Sequence, residues 1–200
     1  MKKRIISIVV TTTIITGVLV YFNVINHSNS QDIEPATANV HDTKTISSGD
    51  LAEGFETVDE LKNSSEVIVE VEADKGTSFE YNHAIFTSTR VKINKIYKGE
   101  LNVDYIKVLE TGGFYHNSEN VLEGNYVLQS GEKAILFLDK YIGPVTSNSY
   151  VVKGAYQGKF VFVEGSDFIS GDNKGKFKEN IGKFGELQQV HSIDDLKLNN

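Results

Sequence analysis

Residues 66–73 read Glu-Val-Ile-Val-Glu-Val-Glu-Ala, and their alternation of polar and apolar residues decides the fold class. Val67, Val69, Val71 and Ala73 recur at every second position, which places them on one face of a β-strand. The glutamates fall on the other face, and this pattern is more typical of a solvated surface than of a metal site.

Further strands are predicted along the chain, at residues 85–97, 105–109, 134–138, 150–152 and 159–163. Ile96 breaks the alternation of its strand, and a β-bulge near Asn94-Lys95 would explain the break. The unbroken apolar run 134–138 is typical of a strand that is buried on both faces. The last two segments are expected to form one hairpin or two neighbouring strands.

Two short helices complete the prediction. Thr57 and Glu60 have the spacing of a capping box, and the segment from Ser192 to Leu196 has a similar pattern. Five to six strands with one or two short helices indicate a mainly β fold. We predict a small antiparallel OB-like barrel or sandwich over residues 55–200, preceded by an N-terminal transmembrane helix.

The N-terminus has the features of a membrane segment. Lys2, Lys3 and Arg4 precede residues 5–22, an uncharged run in which 12 of 18 residues are Ile, Val, Leu, Tyr or Phe. A helix of this length is close to the thickness of the hydrocarbon core. The basic flank should stay in the cytoplasm, which puts the rest of the chain outside.

Residues 1–25 are therefore an anchor or a signal sequence. Signal peptides have shorter apolar runs, and the small-x-small pattern at residues 36–38 lies far downstream, so a retained single-pass anchor is favoured over secretion. Residues 26–54 have no periodicity, and we expect them to be a flexible tether to the extracytoplasmic domain.

Charge excludes one class of partner. The chain carries 27 acidic and 20 basic residues, for a net charge of −7. The first 31 residues hold three of the bases and no acid, so the remainder has 27 acids and 17 bases, a net charge of −10. Because such a field repels phosphate backbones, no nucleic acid partner is predicted.

Three short motifs, in this order along the chain, resemble an uncharacterised family of extracytoplasmic, membrane-tethered proteins of Gram-positive bacteria. They are Lys98-Gly99, Thr111-Gly112-Gly113 and Gln157-Gly158-Lys159-Phe160, within about residues 55–165. The resemblance implies an OB-like barrel and an envelope location, and it implies no reaction. One departure is Gly154-Ala155, where relatives tend to have two glycines.

The sequence contains few signals of catalysis. Cysteine is absent, the five histidines have no metal-ligand spacing, and no nucleophile elbow or P-loop occurs. The segment 167–175 superficially matches a calcium loop, but Ile169 stands where an oxygen ligand is needed. We therefore predict no metal, no cofactor and no catalytic residue.

The segment from Thr111 to Ser130 most invites a functional interpretation. It reads as a long loop with little pattern, and Gly112, Gly113, Gln157 and Gly158 are expected to have structural roles. The loop contains aromatic and polar residues that suit the recognition of a peptide, glycan or envelope protein. These candidates are Phe114, Tyr115, His116, Asn117 and Tyr126. The alternative is that the aromatic residues fold back over one end of the barrel.

Three functions follow from these observations. The favoured one is a non-catalytic binding or interaction module of the cell envelope, held at the membrane by residues 5–22. The alternatives are an anchored or secreted hydrolase that uses His116 or a carboxylate pair, and a purely structural envelope protein.

Overall fold

The computed structural model describes residues 43–47, 53–165 and 175–198 of the 200-residue chain. The predicted anchor at residues 1–25 and most of the segment 167–175 lie outside the described residues. Within the described ranges, no helix has the length and apolar character needed to cross a bilayer.

The described elements are mostly strands. They are β1 (Thr43–Ser47), α1 (Val58–Ser64), β2 (Val67–Ala73), β3 (Thr77–Tyr81), β4 (Ala84–Lys98), β5 (Tyr105–Thr111), β6 (Gly113–Tyr115), β7 (Ser118–Leu122), β8 (Lys133–Lys140), β9 (Ser149–Val152), β10 (Lys159–Val161) and two 3₁₀ helices (Gly185–Gln189 and Ile193–Leu196).

Five strands close into a barrel in the order β2-β4-β5-β9-β8, and β8 pairs back onto β2. Strands β5 and β9 are parallel, whereas the other four pairs are antiparallel. This arrangement confirms the predicted mainly β, OB-like barrel with few helices. Closure also leaves the barrel strands without long open edges.

The barrel has one core inside and a second core on its outer surface. Val69, Val91, Val108 and Leu136 are among the side chains that fill the interior. Outside, α1 and the C-terminal 3₁₀ helices cover β2, β8 and β10 with a cluster that includes Phe137. Strand β8 is therefore buried on both faces, as the apolar run predicts.

The prediction of a solvated glutamate face on β2 is wrong at Glu70. Glu66 and Glu72 are exposed, but Glu70 is buried because the second core covers this part of the strand. Tyr97 donates a hydrogen bond of 3.4 Å to Glu70. Burial raises the pKa of the Glu70 carboxyl. The hydrogen bond from Tyr97 opposes part of this increase.

The predicted bulge is confirmed. Glu70 pairs with Lys95 and Val71 pairs with Ile93, so Asn94 is the extra residue in β4. This insertion restores the alternation that Ile96 breaks in the sequence. Both capping boxes are also present, at the start of α1 and at Ser192 before the last 3₁₀ helix.

Three features of strand pairing differ from the predictions. Strands β9 and β10 do not form a hairpin with each other, because each pairs with a different part of β8. A further strand, β3, pairs with the start of β4. Within the predicted tether, residues 43–47 form β1, which pairs in parallel with β7.

Candidate functional site

The predicted recognition segment 111–130 is not a patternless loop. It contains the hairpin of β6 and β7, and with β1 this hairpin forms a three-stranded sheet, which we call the accessory sheet. Tyr115 pairs with Ser118 across a turn of two residues, His116 and Asn117, both with positive φ. Positive φ at both positions is typical of the tight turns that fit the twist of a hairpin.

Thr111, Gly112 and Gly113 join the accessory sheet to the barrel. Thr111 ends β5, and the two glycines have φ of 101° and 120°. A Cβ atom on Gly113 would lie 2.0 Å from the Thr87 hydroxyl, which donates a hydrogen bond of 2.7 Å to the Gly112 carbonyl. A Cβ atom on Gly112 would instead lie 2.5 Å from the Asn120 carbonyl of β7, so neither position has room for a larger residue unless a neighbouring strand moves.

The tip and one face of the accessory sheet carry the predicted aromatic residues. The Tyr115 and His116 rings stack at the tip, with centroids 4.0 Å apart. Tyr126 lies beyond β7, where Lys44 of β1 donates a hydrogen bond to its hydroxyl and lies 4.7 Å from the centre of its ring. This hydrogen bond raises the pKa of Lys44.

Three large apolar side chains are exposed on this sheet or directly beside it. Ile46 is 63% exposed, Phe114 is 54% exposed and Tyr126 is 44% exposed. Phe114 lies opposite Glu119, which lies opposite Lys44, so strand alternation puts Phe114, Lys44 and Ile46 on one face. Tyr126 lies beside this face, where its side chain contacts Lys44. We call Ile46, Phe114 and Tyr126 the apolar triad.

An ion pair fixes the segment that carries Tyr126. Glu110 and Lys159 are both buried, and their side chains meet at 2.6 Å. The second Glu110 oxygen accepts a hydrogen bond of 2.9 Å from the Leu128 amide, and Lys159 donates to the Tyr126 carbonyl. The backbone on either side of Val127 is therefore held against the barrel.

A small cavity lies beside this ion pair. It has a volume of about 10 Å³, and Glu110, Asn125, Tyr156 and Lys159 contribute to its walls. That volume admits about one water molecule, whereas small-molecule sites commonly enclose hundreds of cubic ångströms. Burial, and then the charge of Glu123, raise the pKa of Tyr156 beside it. The cavity suits a bridging water better than a substrate.

Gln157 and Gly158 lie in a tightly packed region beside the barrel. The buried Gln157 amide accepts a hydrogen bond of 2.8 Å from the Phe55 amide and donates one of 3.3 Å to the Phe55 carbonyl. A Cβ atom on Gly158 would lie 2.9 Å from Phe137. Ala155, where the resembling family tends to have glycine, adopts a φ of 58°.

The described residues do not assemble a metal centre. No group of three His, Asp or Glu side chains among them could hold a metal ion. His83 is exposed and lies 3.6 Å from Glu80, and His116 contacts Tyr115.

The sequence did not indicate two residues on the exposed face of the accessory sheet. Lys44 and Ile46 lie in the predicted tether, where no local pattern indicates a strand that pairs with residues more than 70 positions away.

No protein-family model and no curated protein matches the chain. The OB-like barrel that the family resemblance implies is present, and membership of that family remains a prediction.

Proposed function

We propose that this chain is a non-catalytic binding module of the cell envelope, held at the membrane by residues 5–22 and acting through its accessory sheet. The observation that carries the proposal is the apolar triad. Isolated exposed apolar residues are ordinary, but two on one face of a small sheet with a third beside them concentrate the surface that a protein partner would cover.

The partner that this face suits best is a protein or an extended peptide. Aromatic side chains are enriched at the centres of protein interfaces, where they bury large areas at low entropic cost. The Tyr115–His116 stack and the Lys44–Tyr126 contact hold the neighbouring rings in place. Such a preorganised surface loses less conformational entropy on binding than a flexible loop would.

The position of His116 also favours binding over hydrolysis. A general base needs a group that orients it and a concave site for the substrate. His116 instead stacks on Tyr115 at the tip of a hairpin, where it adds to a recognition surface.

The test is site-specific photo-crosslinking in intact cells. A photoreactive amino acid replaces Phe114 in the full-length chain, and the matched control carries it in place of Ile142, which is 82% exposed and lies outside the accessory sheet. We expect one defined adduct from position 114, and we expect the change Ile46→Asp to abolish it. The same adducts from positions 114 and 142, or none from position 114, would contradict the proposal.

A further inference from the structure

A second surface has the opposite charge to the rest of the chain. Strand β4 contains four basic residues and no acidic one in its 15 residues, although acids outnumber bases by 27 to 20 overall. Lys98 has a structural role, because its ammonium donates to the carbonyls of Lys62 and Asn63 at the end of α1. Arg90, Lys92 and Lys95 are all exposed.

These cations share the outer face of the barrel with Lys107 of β5. Val91 and Ile106 belong to the barrel core, so their neighbours Arg90, Lys92 and Lys107 face outward. The bulge at Asn94 returns Lys95 to the same face, where it pairs with Glu70 on β2. We call Arg90, Lys92, Lys95 and Lys107 the basic face.

One pair on this face is unfavourable in the free protein. Arg90 and Lys107 lie directly opposite each other in the antiparallel ladder, and like charges in this arrangement destabilise a sheet. Asp74 offsets part of this repulsion, since it lies 3.6 Å from Arg90. Lys107 has no ion pair with any described residue.

The other acids that the structure describes on this side of the barrel do not cancel the charge. Glu72 lies opposite both Lys92 and Lys133, and Glu70 is buried with its pKa raised by desolvation. Among the described residues, Glu72 and Asp74 are thus the exposed acids in register with Arg90, Lys92 and Lys107. These three cations outnumber the two acids, so this part of the described surface is positive within a chain of net charge −7.

We propose that the basic face binds a linear, phosphate-bearing polymer that contains no bases. A guanidinium and several ammonium groups are the side chains that proteins use most for phosphate. Arg90 and Lys92 are two residues apart, about 7 Å along the strand, so a chain with repeated charges can contact several of them at once. This site is separate from the apolar triad.

Tyr105 explains why the polymer should lack bases. It is the exposed aromatic residue of β5, and single-stranded nucleic acids are held largely by bases stacked on such rings. The Arg90 guanidinium already covers the Tyr105 ring at 3.7 Å from its centre. Lys95 likewise lies 4.3 Å from the centre of the Tyr97 ring, so the described part of this face offers charges to a backbone and no uncovered ring to a base.

The test measures binding of end-labelled inorganic polyphosphate to the full-length chain in mild detergent, by fluorescence anisotropy at several salt concentrations. The variant Lys92→Gln/Lys107→Gln removes two cations from the face. The control Lys178→Gln/Lys197→Gln makes the same change in net charge at exposed positions near the C-terminus. A single-stranded oligonucleotide and polyglutamate of similar charge are the comparison ligands.

We expect polyphosphate to bind more tightly than either comparison ligand. The Lys92/Lys107 variant should bind at least about tenfold more weakly than the control and show a slope of log K against log salt that is shallower by about 1.4, or 0.7 per contact. Equal losses in the two variants, no binding at low salt, or equally tight binding of the oligonucleotide would overturn the proposal. Phe114→Ala should leave this binding unchanged, which separates this test from that of the accessory sheet.

Discussion

Replacing Gln157 with Leu tests how the start of the domain is fastened to the barrel. The Gln157 side chain is fully buried, and its amide forms two hydrogen bonds with the backbone of Phe55, 102 residues away in sequence. Leucine has a similar volume, so the change removes both hydrogen bonds without opening a large cavity. The substitution therefore isolates a polar contribution.

The size of the effect follows from the groups that lose their partner. The Phe55 amide donates at 2.8 Å, and leaving a buried donor unpaired costs about 1–3 kcal/mol. The Phe55 carbonyl accepts at the longer distance of 3.3 Å, and its loss adds about 0.5–1 kcal/mol. We expect Gln157→Leu to lower the free energy of unfolding by about 1.5–4 kcal/mol, a large share of the total for a small domain.

Urea denaturation followed by far-ultraviolet circular dichroism measures this change, since the chain has no tryptophan to report on unfolding. Gln188→Leu is the matched control, because Gln188 is exposed and should respond by less than about 0.5 kcal/mol. Amide hydrogen exchange should show that Phe55 loses protection in the Gln157 variant alone. A change below 0.5 kcal/mol by this measure, or full protection of Phe55, would refute the reasoning.

Three other substitutions have defined outcomes. Ala155→Gly should raise the free energy of unfolding by about 0.5–1 kcal/mol, because φ of 58° is strained for alanine; equal urea midpoints would argue against this. Gly113→Ala should cost about 2 kcal/mol or more, since φ is 120° and the new Cβ would meet Thr87; hydrogen exchange should show the hairpin loosened. Burial, and then the charge of Lys159, lower the pKa of Lys183, so the unfolded chain binds this proton more tightly. The free energy of unfolding should therefore rise with pH toward about 10.4, and Lys183→Met should remove that rise in urea titrations at pH 7 and above.

The barrel could be predicted from sequence because its strands satisfy local rules. Alternation over 66–73 and the apolar run 134–138 each report the environment of their own strand. The capping box at Thr57 and the bulge at Asn94 are also short-range signals, and both are present. Local rules do not predict that α1 and the C-terminal 3₁₀ helices pack on the outer face of the barrel. That packing is why Glu70 is buried.

The accessory sheet could not be predicted because its determinants are distributed along the chain. The hairpin turn uses His116 and Asn117 at positive φ, and this pair lacks the glycine that usually marks such a turn. Lys44 and Tyr126 are 82 residues apart, and the sequence around neither residue predicts that the two are in contact. The sequence singled out the aromatic residues of this surface as candidates, and the face that they share with β1 depends on the register of β1.

Two unfavourable arrangements in this protein differ in what compensates them. The strain at Ala155 lies in the turn that places Gln157, and the buried hydrogen bonds to Phe55 offset its cost within the folded chain. The repulsion between Arg90 and Lys107 is compensated only in part, since Asp74 lies near Arg90 and Lys107 has no ion pair with any described residue. Because a sequence tends to keep a local conflict where a ligand relieves it, the basic face is the stronger sign of a binding site than the strained turn.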